Sequence, residues 1–309
     1  MAAGDDRVKT TLVLAGGGSF GAIQVGMLHS LATHGIAADM VVGSSVGSLN
    51  AAYYAGNPDL EGVKRLGAIW RTLRRSDVFP VNWATMFGLL RGRNFLIEPH
   101  GLRKLVEDNL SYRNLEDAPI PVHIVATNIL TGGTIVLSEG PAAQAIIASA
   151  AIPAVFPPVM FEDAYLVDGA ISSNTAVKVA VDKGARRLIV LPTGYACALS
   201  TPPAGAVASA LHALTLLIAR QMLSELKELD GTSIEYFVLP PLCPLTGSPY
   251  DFSHTGALID RAIKSTDAWI AGGGLDRPNI HAQLSIHTHG NQKIESGPAG
   301  KKASSFIHA

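Results

Sequence analysis

The sequence predicts an α/β fold with a mainly parallel central sheet sandwiched by helices. Residues 9–15, KTTLVLA, form a short apolar run of strand length, and residues 21–34 then carry apolar side chains at helical spacing. The pattern repeats at once, because DMVVG at 39–43 is followed by a helical segment at 46–55. Strands that alternate with helices are typical of βαβ units, whose parallel strands are covered by helices on both faces.

A third helix is predicted directly after the second unit. Asn57 and Pro58 are expected to open it, because proline is favoured at the first helical position. Asp59 and Glu61 would then lie in the first turn, where acidic side chains stabilise the positive end of the helix dipole. Helical patterns continue from there to about Asn109.

The alternation continues through the rest of the chain, and no linker divides it. A single domain is therefore predicted over residues 1–275. Residues 276–309 are predicted to form a C-terminal tail, partly disordered, because residues 290–305 are poor in apolar side chains. The predicted strands of this part are 121–128, 134–138, 163–169, 186–192 and 234–240, and the predicted helices are 141–150, 203–229 and 253–271.

The composition indicates what kind of partner the chain has. Hydrophobic residues make up 48% of the 309 residues and charged residues only 16%, which favours a thick core, an apolar ligand or a membrane surface. The formal net charge of -1 argues against nucleic acid, since phosphate binding needs an excess of Lys and Arg. The start of the chain lacks the features of a secretory signal, and no apolar run reaches the length of a membrane span. Two cysteines are present, Cys197 and Cys243, and their spacing suggests neither a metal site nor a redox pair, which fits a reducing compartment. A cytoplasmic location is predicted, with peripheral membrane contact as an open alternative.

The charge balance differs locally over residues 62–104. This stretch holds nine basic residues against two acidic ones, together with several large apolar side chains. Such a mixture suits contact with an anionic membrane, but it is also found on ordinary helices with solvated basic faces. The sequence leaves both interpretations open. The basic residues are Lys64, Arg65, Arg71, Arg74, Arg75, Arg91, Arg93, Arg103 and Lys104.

The segment VVGSSVGSLNAA, residues 41–52, contains three candidate nucleophiles in a predicted strand-to-helix turn. In the pattern GxSxG, glycines two residues on either side of a serine permit the strained turn that exposes its hydroxyl. Only Ser45 has glycines at those positions, namely Gly43 and Gly47, whereas Ser44 and Ser48 do not. The spacing therefore selects Ser45.

A glycine-rich turn, GGGSFG at 16–21, follows the first predicted strand and opens the first helix. Unpaired backbone amides and the helix dipole suit such a turn to an anion, either a phosphate or the oxyanion of an acyl-transfer reaction. Because the first two strands are predicted to lie side by side, the amides of Gly17 and Gly18 could reach a carbonyl attacked by Ser45.

The same turn also fits a dinucleotide-binding fingerprint, Gly16-x-Gly18-x-x-Gly21. A dinucleotide site needs an acidic residue at the end of the second strand to hold the ribose hydroxyls. That strand ends in a glycine and two serines, and Asp39 lies at its start. The nucleotide interpretation is therefore disfavoured, and no cofactor is expected.

A serine nucleophile needs a base, and the residues alone offer two kinds. Asp168 in LVDGA ends an apolar strand, which is expected to place it at the carboxyl edge of the parallel sheet, where active sites lie, and Gly169 leaves room beside it. An Asp-Gly pair after a strand can equally be a simple turn. His254 would instead complete a Ser-His-Asp triad, as would one of the histidines near the end of the chain. These histidines also lack the spacing and the carboxylates of a metal site, so no metal is expected. They are His281, His287 and His289.

Taken together, these motifs resemble the patatin-like phospholipase family of lipid acyl hydrolases. The glycine-rich loop of that family matches LAGGGSFGA at 14–22, its nucleophile elbow matches GSSVGSLNAA at 43–52, and its aspartate motif matches DGA at 168–170. Residues 149–158, SAAIPAVFPP, resemble the segment that commonly precedes this aspartate. The resemblance implies a patatin-like three-layer α/β/α fold.

The resemblance also implies roles for individual residues. Ser45 would be the nucleophile and Asp168 its base, and amides at Gly16, Gly17 and Gly18 would form the oxyanion hole, with no histidine or metal required. One departure is Phe20, because many members carry a basic residue at this position. The absence of that positive charge would shift substrate preference from phosphate head groups toward neutral esters, or it would mark a subgroup of the family. The remaining glycines of the matched motifs are Gly21, Gly43, Gly47 and Gly169.

The expected function is that of a serine lipid acyl hydrolase, which cleaves carboxylic esters through an acyl-enzyme intermediate. A buried aspartate is a better base than an exposed one, and the apolar wall at 152–160 is expected to help bury Asp168. Four alternatives remain: an acyltransferase that uses the same site, a Ser-His-Asp esterase with His254, a dinucleotide-binding protein and a non-catalytic lipid-binding module.

Overall fold

A computed structural model describes residues 9–80, 95–173, 175–193, 205–243, 245 and 248–279. Within this part of the chain, strands form one central sheet in the order β5-β6-β3-β2-β1-β7-β8, and β4 pairs with β3. The strands are β1 Thr10–Leu14, β2 Met40–Ser44, β3 Val122–Asn128, β4 Thr134–Leu137, β5 Val159–Phe161, β6 Ala164–Asp168, β7 Arg187–Leu191 and β8 Glu235–Val238. The strand β5 was not predicted.

Five neighbouring strands run parallel, in the order β3, β2, β1, β7 and β8. At one end of the sheet β4 and β6 run antiparallel to β3, and β5 runs antiparallel to β6. The predicted α/β fold with a mainly parallel central sheet is thus confirmed. The α-helices are α1 Gly21–Thr33, α2 Val46–Gly56, α3 Leu60–Thr72, α4 Arg75–Val78, α5 His100–Asn109, α6 Ala142–Ser149, α7 Ala170–Ser173, α8 Val177–Asp182, α9 Ala206–Lys227 and α10 Thr255–Ala271.

Helices cover both faces of the sheet, which gives three layers. Successive side chains of a strand point to opposite faces, so Leu12 and Leu14 pack into one buried cluster while Val13 packs into the other. The first cluster contains residues of α1, α2, α3, α5, α6 and α10, and the second contains residues of α8 and α9. Because both faces are covered, the central strands carry continuous apolar runs, such as residues 12–14 in β1 and residues 188–191 in β7, instead of alternating apolar and polar side chains.

The third helix begins later than predicted. It starts at Leu60, and Asp59 is its N-cap residue, whose carboxylate accepts a hydrogen bond of 2.6 Å from the amide of Gly62. Pro58 therefore precedes the helix instead of opening it. The prediction gave proline the first helical position, but a capping aspartate satisfies a free amide and fixes the start two residues further on.

The apolar segment that starts at 205 forms the long helix α9. Among the described residues, none of the helices is both long enough and apolar enough to cross a membrane. Residues 276–279 of the predicted tail are attached to the domain, because Asn279 exchanges hydrogen bonds of 2.8 and 3.0 Å with the backbone of Tyr236 in β8. The remainder of the predicted tail lies outside the described residues.

The basic stretch at 62–104 is described only in part, since residues 81–94 lie outside the described ranges. Two of its large apolar side chains, Trp70 and Phe79, are buried and face the interior. Arg71 forms an ion pair with Asp260 of α10. Contact of this stretch with an anionic membrane stays a prediction, but these two aromatic side chains contribute nothing to it.

Candidate active site

Ser45 lies on a sharp turn between β2 and α2, with φ 53° and ψ -127°. This conformation is strained for any residue with a side chain. The two flanking glycines are required by close packing, because a Cβ on Gly43 would lie 2.4 Å from the carbonyl oxygen of Gly47. A Cβ on Gly47 would lie 2.1 Å from the carbonyl oxygen of Leu14 at the end of β1. The glycine spacing that selected Ser45 thus has a steric cause.

The hydroxyl of Ser45 donates a hydrogen bond of 2.7 Å to Oδ2 of Asp168. The other carboxylate oxygen, Oδ1, accepts from the amide of Ala170 at 2.9 Å. The backbone of the aspartate is also held, since the hydroxyl of Thr127 donates to its carbonyl oxygen at 2.9 Å. Ser45 is 8% exposed and Asp168 is 4% exposed, so the pair is nearly shielded from water.

The pairing pattern of β3 explains how these two residues meet. β2 pairs with residues 122–125 of β3, β6 pairs with residues 126–128, and β4 pairs with residues 124–127. Since β4 occupies one edge of β3, β2 and β6 must share the other edge. β2 and β6 run in opposite directions and meet end to end, so Gly169 lies against Ser44. A Cβ on Gly169 would lie 2.7 Å from the hydroxyl oxygen of Ser44.

This arrangement corrects one expectation. Asp168 was expected at the carboxyl edge of a parallel sheet, but β6 is antiparallel to β3. It reaches Ser45 because β6 ends midway along β3, where β2 also ends. A Cβ on Gly169 would lie 2.1 Å from the carbonyl oxygen of Val125, so only glycine permits this meeting of strand ends.

Burial sets the proton affinity of Asp168. Removal from water disfavours the charged carboxylate and raises the pKa of Asp168 to about 6, although the hydrogen bonds from Ser45 and Ala170 act in the opposite direction. A carboxylate with such a pKa is still ionised at neutral pH and accepts a proton more readily than an exposed one. The site therefore contains a serine hydroxyl bound to a strengthened base.

The glycine-rich turn lies over the same site. Gly17 has φ 156° and Gly18 has φ 60°, and the cavity beside Ser45 is lined by both Ser45 and Gly18. The carbonyl oxygen of Gly16 accepts a hydrogen bond of 2.6 Å from the hydroxyl of Thr193. The amides of Gly17 and Gly18 donate to none of the residues that the structure describes. These two amides are therefore the donors available to an anion at this turn.

A second segment of the chain packs onto this turn. The carbonyl oxygen of Pro249 accepts a hydrogen bond of 2.7 Å from the amide of Ser19, and a Cβ on Gly18 would lie 2.3 Å from the same oxygen. The contact leaves no space for a side chain at position 18. This contact of residues 248–252 with the glycine-rich turn was not predicted.

We expect Gly18→Ala to lower kcat/KM by roughly 10²-fold or more, because the new methyl group must displace the backbone of Pro249 or of the loop itself. Gly132→Ala is the matched control, since Gly132 also has a positive φ, 73°, but has open space around it. That variant should be destabilised by about 1 kcal/mol and keep its activity. Ester hydrolysis assays on both variants, with urea unfolding in parallel, check the prediction. Equal activity losses in the two variants would contradict it.

A buried polar network behind the loop was not predicted. The side-chain amide of Asn50 donates to the carbonyl oxygen of Gly21 at 3.0 Å and to the side chain of Gln24 at 2.9 Å. The indole N–H of Trp70 donates to the Asn50 side-chain oxygen at 2.9 Å. Gln24 in turn donates to the carbonyl oxygen of Ala15, just after β1, at 2.8 Å and to that of Leu191, the last residue of β7, at 2.9 Å. In the sequence, this network is indicated only by Gln24 and Asn50, which are polar residues at otherwise apolar helical positions.

An apolar cavity of about 850 Å³, measured with its open mouth, extends from Ser45 into the first core cluster. Among the described residues no charged side chain lines it. Ile152 and Phe156 of the predicted apolar wall line the cavity, whereas Met160 is 44% exposed and does not. Side chains from five helices also line it, including Leu49, Ile69, Val78, Leu105 and Ile146.

The histidine alternatives find no support in the described residues. His254 is exposed just before α10 and has no hydrogen bond to Ser45 or Asp168. Within the described residues, the Ser45 hydroxyl is bonded directly to the Asp168 carboxylate, with no histidine between them. The three histidines at 281, 287 and 289 lie outside the described residues. No group of His, Cys, Asp or Glu in the described part of the chain is arranged to hold a metal ion.

The sequence profile named patatin-like phospholipase matches residues 12–181, which is 170 of the 309 residues. The chain belongs to the patatin-like phospholipase family. The match spans the glycine-rich turn, the elbow at Ser45 and the strand that carries Asp168. In this patatin-like chain Phe20 precedes α1 and packs partly buried against the first core cluster.

Several curated proteins are similar to the chain over this region. Lysophospholipase NTE1 of Scheffersomyces stipitis is 29% identical over 60% of this chain, and lysophospholipase NTE1 of Cryptococcus neoformans is 32% identical over 59%. The patatin-like phospholipase domain-containing protein ZK370.4 of Caenorhabditis elegans is 31% identical over 59%. The matched regions make up only 12%, 11% and 13% of those proteins.

Two solved structures overlap with most of this patatin-like chain. VipD from Legionella pneumophila is 16% identical with a TM-score of 0.48, over 88% of this chain and 68% of VipD. Human GIVD cytosolic phospholipase A2 is 14% identical with a TM-score of 0.44, over 87% of this chain and 59% of that enzyme.

Proposed function

We propose that the protein is a serine lipid acyl hydrolase, which cleaves carboxylic esters through a Ser45–Asp168 dyad. The observation that carries the proposal is the 2.7 Å hydrogen bond from the Ser45 hydroxyl to a buried carboxylate. A serine hydroxyl becomes a useful nucleophile when an adjacent base takes its proton, and burial raises the pKa of Asp168 to about 6, close to the working pH of a general base.

The reaction follows from this geometry. Asp168 takes the hydroxyl proton as Ser45 Oγ attacks the ester carbonyl, and negative charge develops on the carbonyl oxygen. The amides of Gly17 and Gly18 stabilise that oxyanion. When the intermediate collapses, the ester bond breaks, Asp168 returns the proton to the leaving alcohol and the acyl group stays on Ser45. Asp168 then takes a proton from water as that water attacks the acyl-enzyme. When this second intermediate collapses, the bond between the acyl group and Ser45 Oγ breaks, Asp168 returns the proton to Ser45 Oγ, and the carboxylic acid is released.

The cavity supports an apolar acyl chain as the part of the substrate held by the protein. Its described lining is almost wholly hydrocarbon and carries no charge, so a phosphate or ammonium group would lose its hydration there without gaining a partner. An acyl chain would instead be removed from water at about 25 cal/mol for each Å² of buried surface. The lysophospholipase names of the NTE1 relatives agree with a lipid ester substrate.

The test is covalent labelling by a fluorophosphonate together with hydrolysis of p-nitrophenyl esters of graded acyl length. We expect the wild type to be labelled at Ser45, identified by mass spectrometry, and to prefer medium or long acyl chains over acetate. Ser45→Ala should abolish both the label and the turnover. Ser44→Ala is the matched control: Ser44 is adjacent and fully buried, its hydroxyl has no hydrogen-bond partner among the described residues, and the label should be retained.

Two outcomes would contradict the proposal. A label that persists in Ser45→Ala would assign the nucleophile elsewhere in the chain. Hydrolysis of acetate esters as efficient as that of long-chain esters would show that the cavity does not select for a lipid acyl group.

A further inference from the structure

The strained conformation of Ser45 is held from three directions. Its hydroxyl is bound by Asp168, and its carbonyl oxygen accepts from both the amide and the hydroxyl of Ser48, at 2.9 and 2.6 Å. Its amide donates to the hydroxyl oxygen of Ser149 at 2.9 Å. The first two contacts come from the reacting pair and from the following turn of the same helix. The third comes from α6, 104 positions away in the sequence.

The direction of the hydrogen bonds around Ser149 is fixed. Its hydroxyl oxygen is 2.6 Å from the carbonyl oxygen of Val125, which can only accept, so the Ser149 proton points to Val125. A lone pair of the same oxygen is then left for the Ser45 amide. Ser149 is fully buried, so no water can replace either partner if the hydroxyl is removed.

The end of α6 also holds the residue that acts as base. The carbonyl oxygen of Ser149 accepts from the amide of Gly169 at 3.0 Å, and the carbonyl oxygen of Ala151 accepts from the amide of Asp168 at 3.0 Å. The turn at 149–151 is therefore bound to the ends of both β2 and β6. Ser149 is the residue of this turn whose side chain contacts the nucleophile.

We propose that Ser149 is a positioning residue, which holds the backbone of Ser45 so that the hydroxyl stays within reach of Asp168. The inference rests on the proposed function, since it assigns a part in that reaction. Ser149 occupies the amide of Ser45, which consequently cannot stabilise the oxyanion, and this leaves that task to the glycine-rich turn. Ser149 does not line the acyl cavity, so its loss should affect the chemical step and not substrate binding.

The test compares Ser149→Ala with Ser149→Cys, which restores a weak acceptor and donor at the same position. Ser149→Ala should lower kcat by roughly 10²-fold with KM changed less than about threefold, because a small displacement of a reacting group has an effect of this size. Ser149→Cys should recover part of the loss. Ser30→Ala is the matched control, because Ser30 is also fully buried and its hydroxyl donates to a backbone carbonyl, that of Ile263, far from the site.

The pH profile gives a readout that a merely structural role would not change. The hydrogen bond from Ser45 lowers the pKa of Asp168, so a loosened Ser45 should move the acid limb of kcat/KM to higher pH in Ser149→Ala. The limb should stay in place in Ser30→Ala. An unchanged kcat, an unmoved acid limb, or an equal loss in Ser30→Ala would overturn the proposal.

Hydrogen exchange of the Ser45 amide gives a second readout, which does not depend on activity. Its exchange should be faster in Ser149→Ala than in the wild type and unchanged in Ser30→Ala, because only the first variant removes the acceptor of that amide. An inactive wild type would refute the proposed function, and slow exchange in Ser149→Ala would refute the positioning role.

Discussion

Replacement of Asp168 by asparagine is expected to lower kcat by roughly 10³-fold or more without unfolding the protein. Asparagine has the same shape, and its side chain can accept from the amide of Ala170 while donating to Ser45, so the packing of the site is preserved. It cannot take a proton from the Ser45 hydroxyl. The measurement is single-turnover and steady-state hydrolysis of a p-nitrophenyl ester, with circular dichroism to verify the fold.

The pH dependence of the wild type belongs to the same prediction. Because burial raises the pKa of Asp168 to about 6, and only the ionised carboxylate is a base, kcat/KM should rise with pH and level off above about 7. The residual activity of Asp168→Asn should lack this limb. Asp163→Asn, an exposed position on the same β5–β6 hairpin, is the control and should retain full activity. Substantial turnover in Asp168→Asn would assign the base to another residue.

The parts of the site that could be predicted are those encoded in short stretches of sequence. An elbow needs a serine at a positive φ with no side chains two residues away, so Gly43 and Gly47 identify Ser45 without any knowledge of the fold. The order of the first two strands follows from the right-handed crossover, and the structure places them side by side in parallel. These features depend on contacts made within about fifty residues of chain.

The approach of Asp168 depends on pairing that no local pattern encodes. Asp168 lies 123 positions from Ser45, and it meets the serine because β2 and β6 share one edge of β3. An apolar run shows that β6 is a strand, but it does not show the direction in which the strand runs. Its residue type was enough to make Asp168 a candidate base. The predicted position at the carboxyl edge of a parallel sheet was wrong, because β6 is antiparallel to β3.

The supporting polar residues were missed for a related reason. Ser149 ends a short, mostly apolar helix, and Asn50 also lies in a mostly apolar helix. In the sequence each looks like an occasional polar residue. Its importance becomes visible only from the backbone groups that it binds: Ser149 donates to the carbonyl oxygen of Val125, and Asn50 donates to that of Gly21. Buried polar side chains are almost always bonded to something, but the sequence does not name the partner.

We also expect Asp168→Asn to stabilise the folded protein at alkaline pH and to have little effect below pH 4. The pKa of Asp168 is raised from 3.8 to about 6 in the folded state, so the folded protein holds a proton that the unfolded chain releases between these values. Protonation of Asp168 therefore contributes its full stabilisation of the folded state below about pH 3.8, and this contribution is lost as the pH rises through about 6. The pKa differs by about two between the folded and unfolded states, and a difference of one in pKa corresponds to about 1.4 kcal/mol. The buried charge therefore lowers the free energy of unfolding by about 3 kcal/mol at pH 8.

Asparagine carries no charge at any pH and avoids that cost. Urea unfolding of the wild type and of Asp168→Asn at pH 4, 6 and 8 should show a difference in the free energy of unfolding that grows from near zero to about 3 kcal/mol. Asp163→Asn should show no comparable growth, since that side chain is exposed in the folded state. A constant difference across this pH range would mean that the folded protein does not raise the pKa of Asp168. A growing difference, combined with lost turnover, would show that the protein retains a destabilising buried charge because the reaction needs a base at this position.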